Sequence, residues 1–206
     1  MSLMNSFDGF IFDYGGVLVY HQTDSDQVRM AKVAGVPADS FTELYWKQRL
    51  DYDKGLVSGE EYWEAVATGA GKFLSAQQIA DLTELDNVSW MNFDEPMWDF
   101  VSEMRGARKK VAVLSNMPKD LGRAIRERTN RFEAFDHVTL SFEVRSAKPE
   151  PEIYEECVGG LGTARARTLF FDDRLANVQG AEMLGMRAIE FNDRDSVLDR
   201  VRSGNF

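Results

Sequence analysis

The chain has 206 residues, and its 34 Asp and Glu against 24 Lys and Arg leave a formal net charge of −10 at pH 7. Because sequence-independent binding to phosphate backbones needs clustered cations, this charge predicts a protein that does not bind nucleic acid. Hydrophobic residues make up 44% of the chain, which excludes a disordered protein. The apolar runs are far shorter than the ~20 residues that cross a bilayer, so no membrane partner is expected.

Cysteine usage and the N-terminal residues bear on the compartment. Cys157 is the single cysteine of the chain, so neither an internal disulfide nor a cysteine-based zinc site can form. The first residues lack the basic region and the apolar segment of a secretory signal. We therefore expect a cytoplasmic protein. The expected oligomeric state is a monomer or a homodimer.

The first predicted element is a buried strand. From Gly9 the run GFIFD is apolar up to Asp13, and the pair Gly15-Gly16 follows, which is typical of a parallel strand that ends in a loop. Helical patterns come next, with no strand among them, at roughly 26–34, 41–52, 59–69 and 76–84. Residues 19–90 are therefore predicted to form a small all-helical cap domain, inserted after the first strand.

Strands alternate with helices in the rest of the chain. Apolar runs that stop at polar loops predict strands at Lys110–Leu114, His137–Leu140, Thr168–Phe171 and Arg187–Phe191. Helical spacing covers roughly 95–105, 119–129, 151–159 and 175–185. This alternation predicts an α/β fold with a Rossmann-like parallel sheet and helices on both faces, formed by residues 7–18 and 91–206.

The predicted strand ends carry polar residues of different chemistry. Asp13, Ser115, Lys148 and the pair Asp172-Asp173 end or follow separate strands, and ligands of open parallel sheets bind at that edge. Taken singly, each residue also fits a turn, a helix cap or a solvated loop. Together, one cation, one hydroxyl and three carboxylates favour a divalent metal beside an anionic substrate, and Mg²⁺ prefers such oxygen ligands.

Four segments of the sequence extend this interpretation to a family. In chain order they read FIFDYGGVL, VLSN, SAKPEPEIY and LFFDDRLANVQGAEMLGM. In these segments the chain resembles the haloacid dehalogenase-like hydrolase superfamily, over about residues 9–18 and 91–192. Its helical segment stands where the cap domain of that family is inserted. The chain is similar to the phosphatases with a helical cap that act on sugar phosphates, which implies hydrolysis of a small phosphorylated substrate.

The resemblance also implies a role for each residue. Asp13 is the nucleophile that attacks phosphorus and forms an aspartyl-phosphate, which water then hydrolyses. Ser115 and Asn116 hold phosphate oxygens, and Lys148 neutralises charge on the nucleophile and on the phosphoryl group. The expected cofactor is Mg²⁺, held by Asp13, the main-chain carbonyl of Gly15 and Asp173, with Asp172 in support. In the alternative assignment, Asp172 and Asp173 exchange these two roles.

One position departs from the pattern of the family. Its phosphatases usually carry a second aspartate two residues after the nucleophile, which protonates the leaving group, and Gly15 stands there. The favoured explanation is a phosphatase whose substrates have easier leaving groups, such as anomeric sugar phosphates, with a water, His21 or a cap residue handling the proton. The alternatives are a phosphate-binding or regulatory protein without turnover and a dehalogenase, against which Asp172-Asp173 argue. We expect Gly15→Asp to raise turnover on alkyl phosphates unless the cap blocks the new carboxylate.

The predicted cap leaves two interpretations open. In one, Trp46, Arg49, Tyr52 and Trp63 line a pocket that stacks on a sugar or base, and Arg49 binds a second anionic group. In the other, the tryptophans pack the cap helices against each other.

Overall fold

A single parallel sheet forms the centre of the molecule. The computed structural model describes residues 6–203. Five strands pair in the order β3-β2-β1-β4-β5. They are β1 (Gly9–Phe12), β2 (Lys110–Ser115), β3 (His137–Leu140), β4 (Thr168–Asp172) and β5 (Arg187–Glu190). The central strand β1 places Phe10 beside Val111 of β2 and beside Leu169 of β4, and its four residues are buried because both faces of the sheet are covered.

Between β1 and β2 the chain forms a group of helices that we call the helical insert. These are α1 (Asp24–Ala34), α2 (Ala38–Lys47), α3 (Arg49–Asp53), α4 (Gly59–Gly69) and α5 (Ala76–Ser89). Capping boxes at Thr23, Ser58 and Ser75 begin α1, α4 and α5, because each hydroxyl accepts a main-chain N–H of the first turn. The insert has its own hydrophobic cluster, which includes Phe41 and Trp63.

The remaining helices cover the two faces of the sheet. They are α6 (Glu95–Gly106), α7 (Lys119–Arg128), α8 (Ser141–Val144), α9 (Pro151–Leu161), α10 (Leu175–Met183) and α11 (Arg194–Ser203). Side chains alternate along a strand, so Phe10 and Phe12 pack in one hydrophobic cluster with residues of α6, α7 and α11. Ile11 points to the other face and packs with residues of α9 and α10.

Polar contacts join the insert to the rest of the fold. The Tyr52 hydroxyl donates to Asp120 Oδ2 at 2.7 Å, and Lys54 Nζ lies 2.8 Å from Glu150 Oε1. Arg128 binds both carboxylate oxygens of Glu84 at 2.8 and 2.6 Å. These contacts hold the insert over the carboxyl ends of the strands.

The fold class predicted from the sequence is confirmed. A parallel sheet with helices on both faces carries a helical insertion directly after its first strand. The domain limits 7–18, 19–90 and 91–206 stay a prediction, and residues 204–206 lie outside the described part of the chain. None of the helices within residues 6–203 combines the length and the apolar character needed to span a bilayer.

Three details differ from the prediction. The helix expected over 41–52 is broken at Gln48 (φ −118°, ψ 9°), and Arg49 directly after the break is buried in the insert. The polar loop expected after His137–Leu140 begins with α8. The sequence prediction also lacks α11, whose apolar residues at 197, 198 and 201 lie on one helical face that packs on the sheet.

Candidate active site

The loop after β1 turns sharply at the carboxyl edge of the sheet. Asp13 continues the strand ladder, since its main-chain N–H donates to Phe171 O at 2.9 Å. The chain then reverses through Gly16, whose φ of +75° lies in the left-handed region that glycine adopts without strain. The Gly16 N–H closes the turn on Val19 O at 2.8 Å. This geometry leaves the Asp13 side chain at the end of the strand.

A buried lysine bridges two of the predicted carboxylates. Lys148 Nζ lies 2.7 Å from Asp13 Oδ1 and 2.7 Å from Asp172 Oδ2. Asn116 fixes the lysine loop, because its Oδ1 accepts the Lys148 N–H at 2.8 Å and its Nδ2 donates to Lys148 O at 3.0 Å. The Asn116 side chain therefore positions Lys148, and a phosphate contact from this residue stays a prediction.

Asp13 presents one oxygen to the protein and keeps the other available. Its Oδ1 accepts the Tyr14 N–H at 2.6 Å in addition to the contact with Lys148. Within residues 6–203, Oδ2 accepts no hydrogen bond from the protein. A carboxylate that is fixed through one oxygen and free at the other is oriented for attack on an electrophile.

The adjacent carboxylates Asp172 and Asp173 have different surroundings. Asp172 is fully buried, and its Oδ1 accepts from the Arg174 N–H and from Asn177 Nδ2, each at 2.9 Å. Asp173 is partly exposed, and its Oδ2 lies 3.2 Å from His21 Nε2. Both Asp172 oxygens are thus engaged with protein donors, whereas Asp173 is accessible to a ligand.

Burial and crowding of charge shift the pKa values of this cluster. Burial raises the pKa of Asp13, Lys148 opposes that shift, and the nearby Asp172 charge adds to it. For Lys148, burial disfavours the charged form, but Asp13 and Asp172 outweigh it and the pKa is raised. The hydrogen bond with Asp173 raises the pKa of His21.

The charge balance of the cluster fits a divalent cation. Ligand oxygens of Asp13, Asp172 and Asp173 all lie within 4.8 Å of one another, and Lys148 is the cation that contacts two of them. Three carboxylates against one ammonium leave an excess of negative charge, and hard oxygen donors of this kind are the ligands of Mg²⁺. The main-chain carbonyl of Gly15 stays a predicted ligand.

These residues line a cavity of about 650 Å³ between the sheet edge and the helical insert. The sheet edge contributes Asp13, Ser115, Lys148 and Asp173 to its lining. The insert contributes Trp46, Arg49, Leu50 and Asp53, and the linkers contribute His21 and Trp90. A cavity of this size is in the range that binds small organic ligands. The structure thus brings together the side chains that the sequence placed at separate strand ends.

The Trp90 ring lies directly beside Gly15. A Cβ atom built on Gly15 would lie 3.1 Å from Cζ3 of the Trp90 ring, which is closer than ordinary van der Waals contact. The ring is itself fixed, because its Nε1 donates to the Tyr45 hydroxyl at 3.3 Å and the Trp90 carbonyl accepts the Tyr14 hydroxyl at 2.9 Å. No sequence signal ties Trp90 to position 15, since the two residues meet only in the folded protein.

A second buried charge cluster lies on the insert side of the cavity. Arg49 Nε donates to Asp53 Oδ1 at 2.8 Å and its Nη1 donates to Asp86 Oδ2 at 2.9 Å. Rings of Tyr45 and Tyr52 lie 5.0 and 5.5 Å from the guanidinium carbon. Asp86 was not among the residues that the sequence singled out, because its i,i+37 spacing from Arg49 has no local pattern.

The predicted roles of the two insert tryptophans separate in the structure. Trp63 is fully buried among the insert helices and donates from Nε1 to the Thr83 hydroxyl at 3.0 Å. Trp46 is half-exposed and lines the cavity. Trp63 therefore packs helices together, and Trp46 is available to a ligand.

Comparison with known proteins decides the family. The family model of haloacid dehalogenase-like hydrolases matches residues 7–185. The chain belongs to the haloacid dehalogenase-like hydrolase family. It is 27% identical over 191 residues to a sesquiterpene phosphatase of Aspergillus oryzae, covering 93% of both chains. It is 21% identical to a D-ribitol-5-phosphate phosphatase of Bacteroides thetaiotaomicron, covering 87% of this chain and 89% of the relative.

A solved structure supports the fold of this haloacid dehalogenase-like hydrolase. The magnesium complex of a HAD family enzyme from Bacteroides thetaiotaomicron superposes with a TM-score of 0.75 at 24% identity, over 95% of this chain and 99% of that one. The expectation of an enzyme of this hydrolase family is confirmed, and the phosphatase names of its relatives support the phosphatase part of it.

Proposed function

We propose that this protein is a Mg²⁺-dependent phosphomonoester hydrolase that acts through an aspartyl-phosphate on Asp13. The observation that carries the proposal is the orientation of the Asp13 carboxylate. Lys148 and the Tyr14 N–H bind its Oδ1, and among the described residues Oδ2 has no protein partner at the wall of the cavity. The phosphatase names of the relatives support the same reaction.

The reaction proceeds in two displacements at phosphorus. In the first, Asp13 Oδ2 forms a bond to phosphorus while the bond from phosphorus to the ester oxygen breaks, and the leaving alkoxide takes a proton from a water, His21 or a cap residue to become the alcohol. In the second, water attacks the same phosphorus, gives up a proton, and releases inorganic phosphate and the Asp13 carboxylate. Lys148 and the Ser115 hydroxyl stabilise the charge on the transferring group.

The carboxylates of Asp13 and Asp173 would hold Mg²⁺, with Asp172 in support and the Gly15 carbonyl as a further ligand. When bound, this ion supplies positive charge that neutralises the phosphoryl oxygens and favours the ionised form of the carboxylates. Asp172 has both oxygens engaged by Lys148, Arg174 and Asn177, so its part is to orient the lysine and the loop. The magnesium complex of the structural relative supports this metal.

The names of the relatives agree on the bond that is cleaved, a phosphate ester, but not on the substrate that carries it. One relative is named for a sesquiterpene and the other for a phosphorylated polyol, so they share the phosphate group and differ in the organic body. The proposed substrate is therefore a small phosphorylated metabolite. The sugar phosphate favoured by the sequence stays a prediction, and the second relative supports it.

A phosphate-release assay with and without Mg²⁺ tests the proposal. We expect release that needs the metal, is abolished by chelation and is lost in Asp13→Asn, whose amide is a poor nucleophile. Asp39→Asn is the matched control, because Asp39 is exposed on α2 and does not line the cavity. Release that persists in purified Asp13→Asn would contradict the role of Asp13.

The alternative of a phosphate-binding protein without turnover has its basis at Gly15. The residue lacks the acid/base carboxylate, and the Trp90 ring occupies the space beside it. In the same assay, metal and phosphate binding without release from any substrate would favour this alternative.

A further inference from the structure

We propose that the substrate of this site is the monophosphate ester of a hydrocarbon alcohol. The inference rests on the proposed phosphatase function and concerns the part of the substrate that remains after phosphate is removed. The supporting observation is the side of the cavity that the insert forms with Trp46 and Leu50, which we call the wall.

Two large apolar side chains of the insert are exposed at this wall. Trp46 is 50% exposed and Leu50 is 52% exposed, and both line the same cavity as Asp13. The buried cluster of the insert includes neither of them. Exposed apolar side chains that share one cavity mark a ligand contact more often than isolated ones do.

The apolar lining continues from the insert to the sheet edge. The cavity is also lined by three members of the hydrophobic cluster of the sheet, Trp90, Met117 and Leu121. A ligand that reaches from Asp13 toward the insert therefore passes aromatic and aliphatic side chains. Such a surface stabilises a hydrocarbon body through the hydrophobic effect.

Two polar side chains of the lining are already engaged by protein partners. Asn116 uses both its carbonyl and its amide on the main chain of Lys148. The buried Asp53 accepts from Arg49 Nε. A polyol in the cavity would lose hydrogen bonds to water, and neither the Asn116 amide nor Asp53 Oδ1 would be free to replace them.

Arg49 does not supply a free positive charge for a second anionic group. Its guanidinium is buried between the carboxylates of Asp53 and Asp86, which outnumber it in charge. Arg174 also lines the cavity, and its side chain is exposed to solvent. The insert side of the cavity therefore offers no unbalanced positive charge to a second phosphate group. Arg174 is a solvent-exposed cation of the lining.

A chain-length series tests the inference with the full protein and Mg²⁺. We expect kcat/KM for n-alkyl phosphates to rise by about fourfold per methylene from ethyl to octyl phosphate, until the chain fills the wall. Glycerol phosphate, ribitol 5-phosphate and glucose 1-phosphate should react more slowly than an alkyl phosphate of similar size. A flat series, or faster reaction of the polyol phosphates, would overturn the hydrocarbon substrate.

A matched pair of substitutions locates the effect at the wall. Leu50→Asn should reduce kcat/KM for octyl phosphate by about tenfold and flatten the chain-length series. Leu56 is the control, since it is 51% exposed in the insert but does not line the cavity, and Leu56→Asn should leave the whole series unchanged. Equal effects of the two substitutions would contradict the assignment of the wall.

Three further outcomes separate the substrate class from the proposed function. Hydrolysis of an aryl phosphate, together with equal kcat/KM values across the n-alkyl series, would support the phosphatase function and contradict a hydrocarbon substrate. If no ester is hydrolysed, calorimetric binding of alkyl phosphonates, which keep the same chains, still tests the wall, and equal affinities of ethyl and octyl phosphonate would overturn it. A preference for diphosphate esters that Arg174→Ala abolishes would also overturn it.

Discussion

Two buried cations line the cavity, one at the sheet edge and one in the helical insert, and each lies between two carboxylates. Lys148 contacts Asp13 and Asp172, and Arg49 contacts its own pair of aspartates in the insert. In residue types and in burial the two clusters are alike. Burial disfavours both cations, and the neighbouring carboxylates hold both in the charged form.

The clusters differ in the number of carboxylates that accompany the cation. In the insert, Asp86 is bound on both oxygens, by Arg49 on one and by the Tyr45 hydroxyl and Gln22 on the other. At the sheet edge, Asp13 keeps an oxygen without a protein partner within residues 6–203, and the partly exposed Asp173 adds a third carboxylate. Two carboxylates accompany Arg49 in the insert, whereas three carboxylates and one ammonium at the sheet edge leave the larger excess of negative charge, which favours a divalent metal.

Substitution of the sheet-edge cation should have the largest effect. Lys148→Met leaves Asp13 and Asp172 without their counter-ion and removes positive charge from the transferring phosphoryl group. We expect kcat/KM to fall on the order of 10³-fold in the folded protein. Steady-state kinetics measures this loss, and circular dichroism distinguishes it from unfolding. Activity near that of the unmodified protein would contradict a catalytic role for the sheet-edge cluster.

The corresponding substitution in the insert should act on stability. Arg49→Met leaves two buried carboxylates unpaired and should lower the free energy of unfolding by about 3 kcal/mol or more. Chemical denaturation measures the change. The molecules that remain folded should turn over an aryl phosphate within about tenfold of the normal rate. A stable variant that has lost all turnover would place Arg49 in the catalytic machinery.

The space beside Gly15 yields a prediction that depends on two residues. Because the Trp90 ring would contact a new Cβ at 3.1 Å, Gly15→Asp alone should not raise turnover on alkyl phosphates. In combination with Trp90→Leu, the carboxylate gains room and should raise kcat about tenfold above that of Trp90→Leu alone. The comparison of the four proteins on one alkyl phosphate measures this coupling, and a gain in the single variant would show that Trp90 does not block the position.

The smallest expected effect concerns the link between the insert and the sheet edge. The hydrogen bond from Lys54 lowers the pKa of Glu150, two residues after Lys148. A lowered pKa gives stability that is present above the ordinary glutamate pKa and is lost as the pH falls through the folded value. The difference in Tm between the natural protein and Lys54→Met should be small and constant near pH 7, and should shrink at acid pH. A difference that grows on acidification would contradict the linkage.

The sequence predicts those features that repeat locally. Apolar runs that stop at Asp13, Ser115 and Asp172 mark strands and at the same time place polar groups at one edge, because parallel strands share an edge. Trp90 beside Gly15 and Asp86 beside Arg49 could not be predicted, since each contact joins residues far apart in the chain. The break at Gln48 likewise depends on the packing of the insert and interrupts an otherwise helical pattern.

Trapping of the covalent intermediate tests the role of the sheet-edge cluster most directly. The protein is mixed with Mg²⁺ and an aryl phosphate, quenched with acid during turnover and treated with borohydride, which reduces an aspartyl-phosphate to homoserine. Peptide mass spectrometry should then find homoserine at position 13, in amounts that depend on the metal and on the substrate. Turnover without homoserine at position 13, or with the modification at another aspartate, would contradict nucleophilic attack by Asp13.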